Sequence, residues 1–545
     1  MSVLAQFIPL LIVIAVVAFS YLPLGAYMAS LFSSEKDWRI EKVIYRLLHV
    51  DPRLEQRWNS YAGSILALSA VSIVIVYILQ RCQSLFPFPA EQILRPDQAW
   101  NTAISFATNT NWQAYNPEQT MTMIVQMVGL TVQNFVSAAV GICVAIAFAR
   151  SLGRSESGTI GNFWVDITRC LFRLLLPLSI IFAAVLIACG CLQTLHPIVD
   201  LSMWNSSIHH IPGGPVASQE AIKLLGTNGG GIYNANSAHP FENPHAVSNA
   251  IEIALLLVIP CSLTRTFGLI VKDRRQGWAI FAAMVTIATL SIVALFSAQS
   301  RLLPAHGLEG KELRFGVIPS SLFGAVTTLT SSGAVNSAHA SYDPFSQTVM
   351  LLNMALGEIA PGGVGCGLYG MVMVAILAVF IAGLMVGRSP EYIGKKIGPT
   401  EMKIVSLYLL ISPLLCLVGT GITIAIPAIR SAVVHPGAYG VSEILYAFAS
   451  ASNNNGSALS GVNASHPFMT ISLGIVMFCA RFIPMILILA LAGHFSSQKR
   501  IAETLGTVKT HNGLFVILMV MVAFIVAALT FVPVLALGPL SEGLI

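Results

Sequence analysis

The chain has 545 residues, of which 55% are apolar and only 10% charged, with 29 Lys and Arg against 24 Asp and Glu. Soluble domains carry about 25% charged residues, so a mean hydropathy of +0.76 excludes a string of water-soluble domains and indicates one large membrane domain. A net charge of +5 gives no basis for nucleic-acid binding, and nine cysteines without a CxxC pair support neither a disulfide framework nor a zinc site.

In chain order, the first apolar stretch long enough to cross a bilayer is 3–31. It has no basic flank before it and no small-residue cleavage pattern after it, while Lys36, Arg39, Lys42, Arg46, Arg53 and Arg57 follow, so it is expected to be a retained span with its N-terminus outside. Further spans are expected at 62–80, 121–149, 174–195, 247–271, 278–300, 346–387, 404–427, 468–493 and 513–537, ten in all. The loops after the odd-numbered spans hold 21 basic residues and the opposite loops six, which assigns the basic loops to the cytoplasm and both termini to the outside.

Four outside loops share a pattern: a short helix-like stretch opened by Asp97, Ser218, Ser320 or Ser442, then a tract rich in Gly, Asn, Ser and Thr, then the next span. The opening residues suit helix N-caps. A ten-residue helix is only ~15 Å long, so it reaches mid-bilayer and must return, which is tolerated where protein or water supplies backbone partners. The stretches at 97–113, 218–231, 320–333 and 442–456 therefore read as re-entrant helices with return loops lining a cavity. Internal duplication fits: Asn236, His239, Pro240 and Phe241 recur as Asn463, His466, Pro467 and Phe468 at an offset of 227 that also superimposes Gly229 on Gly456. One such loop alone would read as a surface turn; four in equivalent positions favour the re-entrant reading.

A cation filter built of backbone carbonyls needs angles that Gly adopts readily and Asn tolerates. Gly229, Gly333 and Gly456 meet that need, with Asn111 at the comparable place in the first tract. The C-terminal, partly negative ends of the four helices would converge on the centre, and the tracts hold no carboxylate, which points to a monovalent cation.

Span seven is about 40 residues long and is interrupted at 357–365 by Gly357, Glu358, Pro361, Gly362, Gly363 and Gly365. This break beneath the filter is either a gate or a passive kink. Gate candidates are Glu358, Gly362 and Gly363 with Arg481 of span nine, the two charges either pairing or leaving Arg481 to bar cations from the exit. His239 and His466 are expected to be structural, and Glu220 and Glu443 to be solvated first-turn residues.

The tracts Thr108-Asn-Thr-Asn-Trp-Gln113, Gly226-Thr-Asn-Gly-Gly-Gly231 and Asn453-Asn-Asn-Gly-Ser457, with the segment 234–244, closely resemble the KdpA family over essentially the whole chain. That resemblance implies an all-α fold of ten transmembrane helices in the superfamily of K+ transporters, in which four pseudo-repeats of span, re-entrant pore helix and span imitate a potassium-channel tetramer. The spans and re-entrant stretches place the repeats at 62–150, 168–271, 277–387 and 403–493, flanked by 1–61 and 494–545. The resemblance implies a selectivity filter at Thr108, Asn109, Thr110, Asn111 and Gln113; at Gly226, Thr227, Asn228, Gly229 and Gly230; at Thr330, Ser331, Ser332 and Gly333; and at Asn453, Asn454, Asn455 and Gly456. The transported ion is then K+, the location the bacterial inner membrane, and the partners a P-type ATPase subunit KdpB, a single-span KdpC and a small peptide KdpF. No phosphorylation or nucleotide-binding motif occurs, so this chain is expected to be no enzyme by itself. The rival readings are a self-sufficient Trk-type K+ or Na+ channel or symporter, and a non-conducting assembly scaffold.

Overall fold

The computed structural model describes all residues except 1–6, 88–89, 91, 203–207, 301–307, 430–432, 434, 436, 503–506 and 545. Residues 3–6 of the first expected span, and Arg301 and Arg430 of the sparsely charged loops, lie outside the described residues. Among those described, ten helices are long and apolar enough to cross a membrane: Ile8–Ser33, Trp58–Arg81, Val125–Gly153, Phe163–Ala188, Ala246–Ile270, Arg274–Ser300, Cys366–Val386, Pro399–Ala425, Pro467–Ser497 and Gly513–Leu537.

Burial sorts these helices into an inner and an outer set. Of the most apolar window in the third, fifth, seventh and ninth, 61–83% is buried; in the second, fourth, sixth and eighth, only 17–39%. The core therefore forms along four helices that meet one another, and a lipid-facing helix precedes each. A helix apolar on all sides and buried belongs inside a bundle, whereas an equally apolar exposed one needs lipid as its solvent. The nine cysteines are free thiols, buried or half-buried among these helices.

The interruption expected in span seven is present: Pro344–Ala355, capped by the Asp343 carboxylate at Phe345 N (3.1 Å) and Ser346 N (3.3 Å), ends before the break, and Cys366–Val386 resumes after it. Only the second piece is long enough to cross. The fourth helix starts at Phe163, capped by Asn162 (Trp164 N to Oδ1, 3.1 Å), rather than at 174. Arg169 and Arg173 consequently lie within this helix and not in a loop. Arg169 pairs with Asp37 at 2.8 Å, and Arg173 grips Glu41 with two nitrogens and lies over the Trp38 ring at 4.9 Å. The partners sit on or just before the short amphipathic helix Arg39–Leu47, whose packing removes both guanidinium groups from solvent.

Small elements brace the ends. An antiparallel pair, Ile198–Ser202 with Ile208–Pro212, leads into the second short helix. On the basic face, a two-residue hairpin (Glu391–Tyr392 with Lys395–Lys396) places Lys395 Nζ on the carbonyls of Arg154 (2.6 Å), Phe495 (2.6 Å) and Gln498 (2.8 Å), so one ammonium joins the loops after the third, seventh and ninth helices.

Candidate functional site: a ring of four return loops

Four short helices, Pro96–Ala107, Val216–Leu225, Val317–Leu329 and Ala438–Ser452, precede the tracts. Their 10 to 15 residues give lengths of about 15–23 Å at 1.5 Å per residue, too short to cross a ~30 Å hydrocarbon core. Asp97, Ser218, Ser320 and Ser442 do not cap them. The flanking positions are Arg95, Pro215, Gly316 and Gly437, the last two at φ 81° and 76°. The serines are the third, fourth and fifth residues of their helices and turn their hydroxyls back onto carbonyls of Pro215 (2.9 Å), Gly316 (2.8 Å) and Ala438 (3.0 Å). Asp97 binds Arg95, whose guanidinium holds its carboxyl below the usual range.

All four helices end in the same way. Thr108, Gly226, Thr330 and Asn453 close them, and the next residues, Asn109, Thr227, Ser331 and Asn454, are left-handed at φ 68°, 46°, 56° and 57°. The residue after that returns its N–H across the turn: Thr110 to Ser105 O (2.9 Å), Asn228 to Lys223 O (2.9 Å), Ser332 to Thr327 O (3.4 Å) and Asn455 to Ser450 O (2.9 Å). This six-to-one bond over a left-handed residue is the Schellman terminus, in which glycine is usual. Here four non-glycine residues occupy the left-handed place, and a β-branched Thr227 there is strained. Its hydroxyl explains its presence: Thr227 Oγ1 accepts from Val364 N at 3.0 Å, joining the second loop to the break in span seven.

Two residues beyond the left-handed turn stand Asn111, Gly229, Gly333 and Gly456, the set expected from sequence. Asn111, Gly333 and Gly456 are left-handed again at φ 58°, 73° and 103°. Gly229 is not; in the second loop that conformation falls one residue later, at Gly230 (φ 69°). Gly229 is required for close approach, since a β-carbon there would lie 2.7 Å from Ser332 O.

The loops close on one another in cyclic order. Asn109 Nδ2 of the first donates to Thr227 O (3.0 Å) and Gly226 O (3.3 Å) of the second, and Gly229 N of the second to Asn111 Oδ1 (3.3 Å). Ser332 of the third donates to Asn228 O of the second at 3.0 Å. Ser331 Oγ reaches Asn453 O (2.8 Å) and Asn454 O (3.2 Å) of the fourth, and Asn454 Nδ2 returns to Thr110 Oγ1 of the first at 3.0 Å. The α-carbons of Gly333 and Gly456 abut the carbonyls of Asn455 and Thr110 so closely that neither tolerates a β-carbon. The ring thus gathers backbone carbonyls and side-chain amides and hydroxyls without a carboxylate in the tracts.

The remaining expected residues have distinct places. Thr108 shares its hydroxyl with Thr110 (2.9 Å), Thr330 bonds Val326 O (2.8 Å), and Asn453 Nδ2 bonds Ala449 O (2.8 Å), all within their own loops or helices. Gln113 clamps the second loop, accepting from Gly231 N (3.1 Å) and donating to Gly231 O (3.3 Å). The Gly230 carbonyl is turned onto Lys223 Nζ (3.2 Å) and Asn236 Nδ2. Those two contacts anchor the loop. Sequence reasoning missed Asn134 and Ser137 of the third helix. Asn111 donates to Asn134 Oδ1 (2.8 Å), Asn228 to Asn134 O (3.0 Å), and Ser137 Oγ to Asn109 Oδ1 (2.8 Å). Gln126, Gln133, Asn134 and Ser137 at helical spacing in an apolar span were the available signal.

Under the ring lies the break. Gly362 N donates to Leu329 O (3.1 Å), and a β-carbon at Gly363 would meet Ser331 Cβ at 3.0 Å and Thr330 O at 3.2 Å, so this loop presses on the base of the third tract. Glu358 is buried, its carboxylate facing Ser331 and Asn455. Arg481 donates to Ser137 O at 3.2 Å. Among the described residues these two charges form no ion pair with each other, which removes one of the sequence alternatives. A cavity of about 100 Å³ beneath the tracts is lined by Ser331, Asn453, Asn454, Cys366, Tyr369 and Arg481.

Four further residues have defined places. His466 caps the ninth helix, accepting from Phe468 N at 3.3 Å, whereas His239 makes the same bond to Phe241 N (3.1 Å) in a turn, the fifth helix being capped by His245. Glu220 and Glu443 are not solvated. Both are buried, Glu220 against Lys223 (2.6 Å) and Glu443 against His435 (2.8 Å), because neighbouring loops fold over these helix starts.

The family model described as Potassium-transporting ATPase A subunit, KdpA, matches residues 11–544. The chain is similar to the potassium-transporting ATPase potassium-binding subunit of Clavibacter sepedonicus, 53% identical over 556 residues with all of both chains covered. It is likewise 53% identical over 539 residues to that of Mycobacterium sp. (strain KMS) and 51% identical over 536 residues to that of Cutibacterium acnes, with 96% of each chain covered.

Proposed function

The chain belongs to the KdpA family, and from that membership we propose that its ring of four loops is a K+ filter that takes the ion from outside and passes it to an ATP-hydrolysing partner. The observation that carries this reading is the cyclic closure of the four tracts through Asn109, Ser332, Ser331 and Asn454. A monovalent cation that loses its water needs several uncharged oxygens at fixed spacing, and the ring supplies them in a protein-enclosed site where the backbone would otherwise be unsatisfied. In this reading the chain divides into four units of outer helix, short helix, loop and inner helix, proposed at 62–150, 168–271, 277–387 and 403–493, with the outer helix of the second unit beginning already at Phe163.

The chain acts as a non-catalytic subunit. Its partners in this reading are KdpB, KdpC and KdpF, the membrane is the bacterial cytoplasmic one, and the basic loops face the cytoplasm with both termini outside. The test is thermal unfolding of the purified chain. Binding to the native state stabilises by RT ln(1 + [L]/Kd), ~2.7 kcal/mol at one hundred times the dissociation constant, so K+ should raise the midpoint by several degrees and Na+ should not. Equal responses to both ions would remove the filter.

The break and Arg481 form the gate in this proposal. The guanidinium stands in the cavity directly below the ring, where a fixed positive charge in low dielectric opposes a passing cation. Arg481→Gln is expected to increase passive K+ leak into vesicles holding the chain several-fold; an unchanged leak would assign the arginine to packing alone.

A further inference from the structure

A buried ammonium sits behind the second filter loop. Lys223, in the last turn of the second short helix, is fully buried together with Glu220, Glu242 and Glu252. Its Nζ lies 2.6 Å from Glu220 Oε2, 3.1 Å from Glu242 Oε2, 3.2 Å from Gly230 O and 3.3 Å from Asn236 Oδ1. An ammonium has three protons and no acceptor, and it is tolerated without water only where such oxygens surround it. Each surrounding group is itself fixed: Glu220 Oε1 accepts from Ser237 Oγ (2.6 Å), Glu242 Oε1 from Tyr233 N (3.4 Å), and Asn236 Oδ1 from Val335 N (3.2 Å), just beyond the third tract. Asn236 Nδ2 also donates to Gly230 O. The cluster thus joins the outer end of the second loop to the third loop.

We infer that Lys223 is a positioning residue for ion discrimination: by holding the Gly230 carbonyl away from the ring, it fixes the neighbouring Gly229 against Ser332 and so sets the ring's width. This rests on the filter reading above. Two observations leave little slack for any other arrangement. A β-carbon at Gly229 would lie 2.7 Å from Ser332 O, and one at Gly231 would lie 2.8 Å from Glu242 Oε1. Without the ammonium, the Gly230 carbonyl loses a charge-assisted bond and is free to rotate, and the constraint on Gly229 relaxes with it.

The test uses the assembled ATPase complex and measures ATP hydrolysis against K+ and against Na+. Two variants are compared with the parent: Lys223→Met, and a chain combining Lys223→Met with Glu220→Gln and Glu242→Gln, which leaves no unpaired carboxylate from the two direct partners. The expected result in both is a half-saturating K+ raised about tenfold, a K+ over Na+ preference lowered about tenfold and kcat within about twofold of the parent, since the lysine touches no reacting group. A half-saturation and preference unchanged in either variant that assembles would overturn the inference. Failure of both to assemble would overturn it equally, by assigning the lysine to folding. Gly456→Ala serves as the reference: if it too leaves half-saturation unchanged, the filter reading itself fails, and if it alone shifts, only the role of Lys223 does.

Discussion

Replacing Gly333 or Gly456 by alanine is expected to raise the half-saturating K+ of the assembled complex at least about 100-fold, or to abolish K+-stimulated hydrolysis at low K+. Two penalties act together. Both glycines are left-handed, at φ 73° and 103°, where a side chain costs about 1–2 kcal/mol. Each added β-carbon would also overlap the carbonyl oxygen of the next loop, Asn455 O for Gly333 and Thr110 O for Gly456. Those oxygens belong to the ring, so relief of the overlap must move a candidate ion ligand. A 100-fold loss corresponds to about 2.8 kcal/mol at 1.4 kcal/mol per tenfold, within reach of the backbone penalty plus one displaced ligand. Gly229→Ala should be milder, because its φ is not left-handed and its nearest clash is 2.7 Å from Ser332 O. Aspartate at Gly229 or Gly456 should in addition relax the K+ over Na+ preference by bringing charge into an uncharged ring. Hydrolysis titrated with K+ and with Na+ checks all of these, and alanine variants with parental half-saturation would remove the glycines from the ion path.

The sequence made the ring legible because its signals are local. Apolar length marked the spans, Gly and Asn marked the places where helices of 10 to 15 residues turn back, and the break at 357–365 announced itself through Pro361 and four glycines. Non-local partnerships left no such mark. Arg173 meets Glu41 132 residues away, which is why a helix starting at Phe163 looked like a charged loop: hydropathy counts an arginine as exposed whether or not a carboxylate is folded onto it. Lys223 was hidden for the same reason, as was Glu220, whose solvated appearance depended on ignoring the loop that carries Ser237 and Glu242. The helix starts failed differently. Serine at the first turn can cap or can bond backward to a carbonyl, and sequence alone does not separate the two. Asn111 shows the opposite case, where a polar residue stands in the left-handed place that glycine fills in the third and fourth loops because Asn134 and Gly229 occupy its amide.

Asp166→Ala is expected to destabilise the chain by about 3–5 kcal/mol, the cost of leaving a buried charge without its partner. Arg150 makes a forked contact with Asp166, Nη1 to Oδ2 at 3.0 Å and Nη2 to Oδ1 at 2.9 Å, and its Nη1 also reaches Ile160 O at 2.8 Å. The buried Tyr61 hydroxyl donates to Oδ2 at 3.0 Å, so the carboxylate joins the second, third and fourth helices. Removing it strands a guanidinium of which 13% of the side chain is exposed and leaves Tyr61 with the Cys143 carbonyl alone (3.1 Å). Planar two-point recognition of this kind is worth more than a point charge, so Asp166→Asn, which keeps the shape and loses the charge, should fall between the parent and the alanine variant. The exposed pair Arg154 with Glu55, at 2.6 Å but with 29% and 40% of the side chains exposed, supplies the contrast: Glu55→Ala should cost no more than about 1 kcal/mol. Thermal midpoints of the four chains in one detergent check the order. A further arm decides the cause: combining Asp166→Leu with Arg150→Met removes the stranded charge along with its partner, and the double variant should be more stable than Asp166→Ala alone. If it is less stable, packing around these side chains and not an unpaired buried charge accounts for the loss.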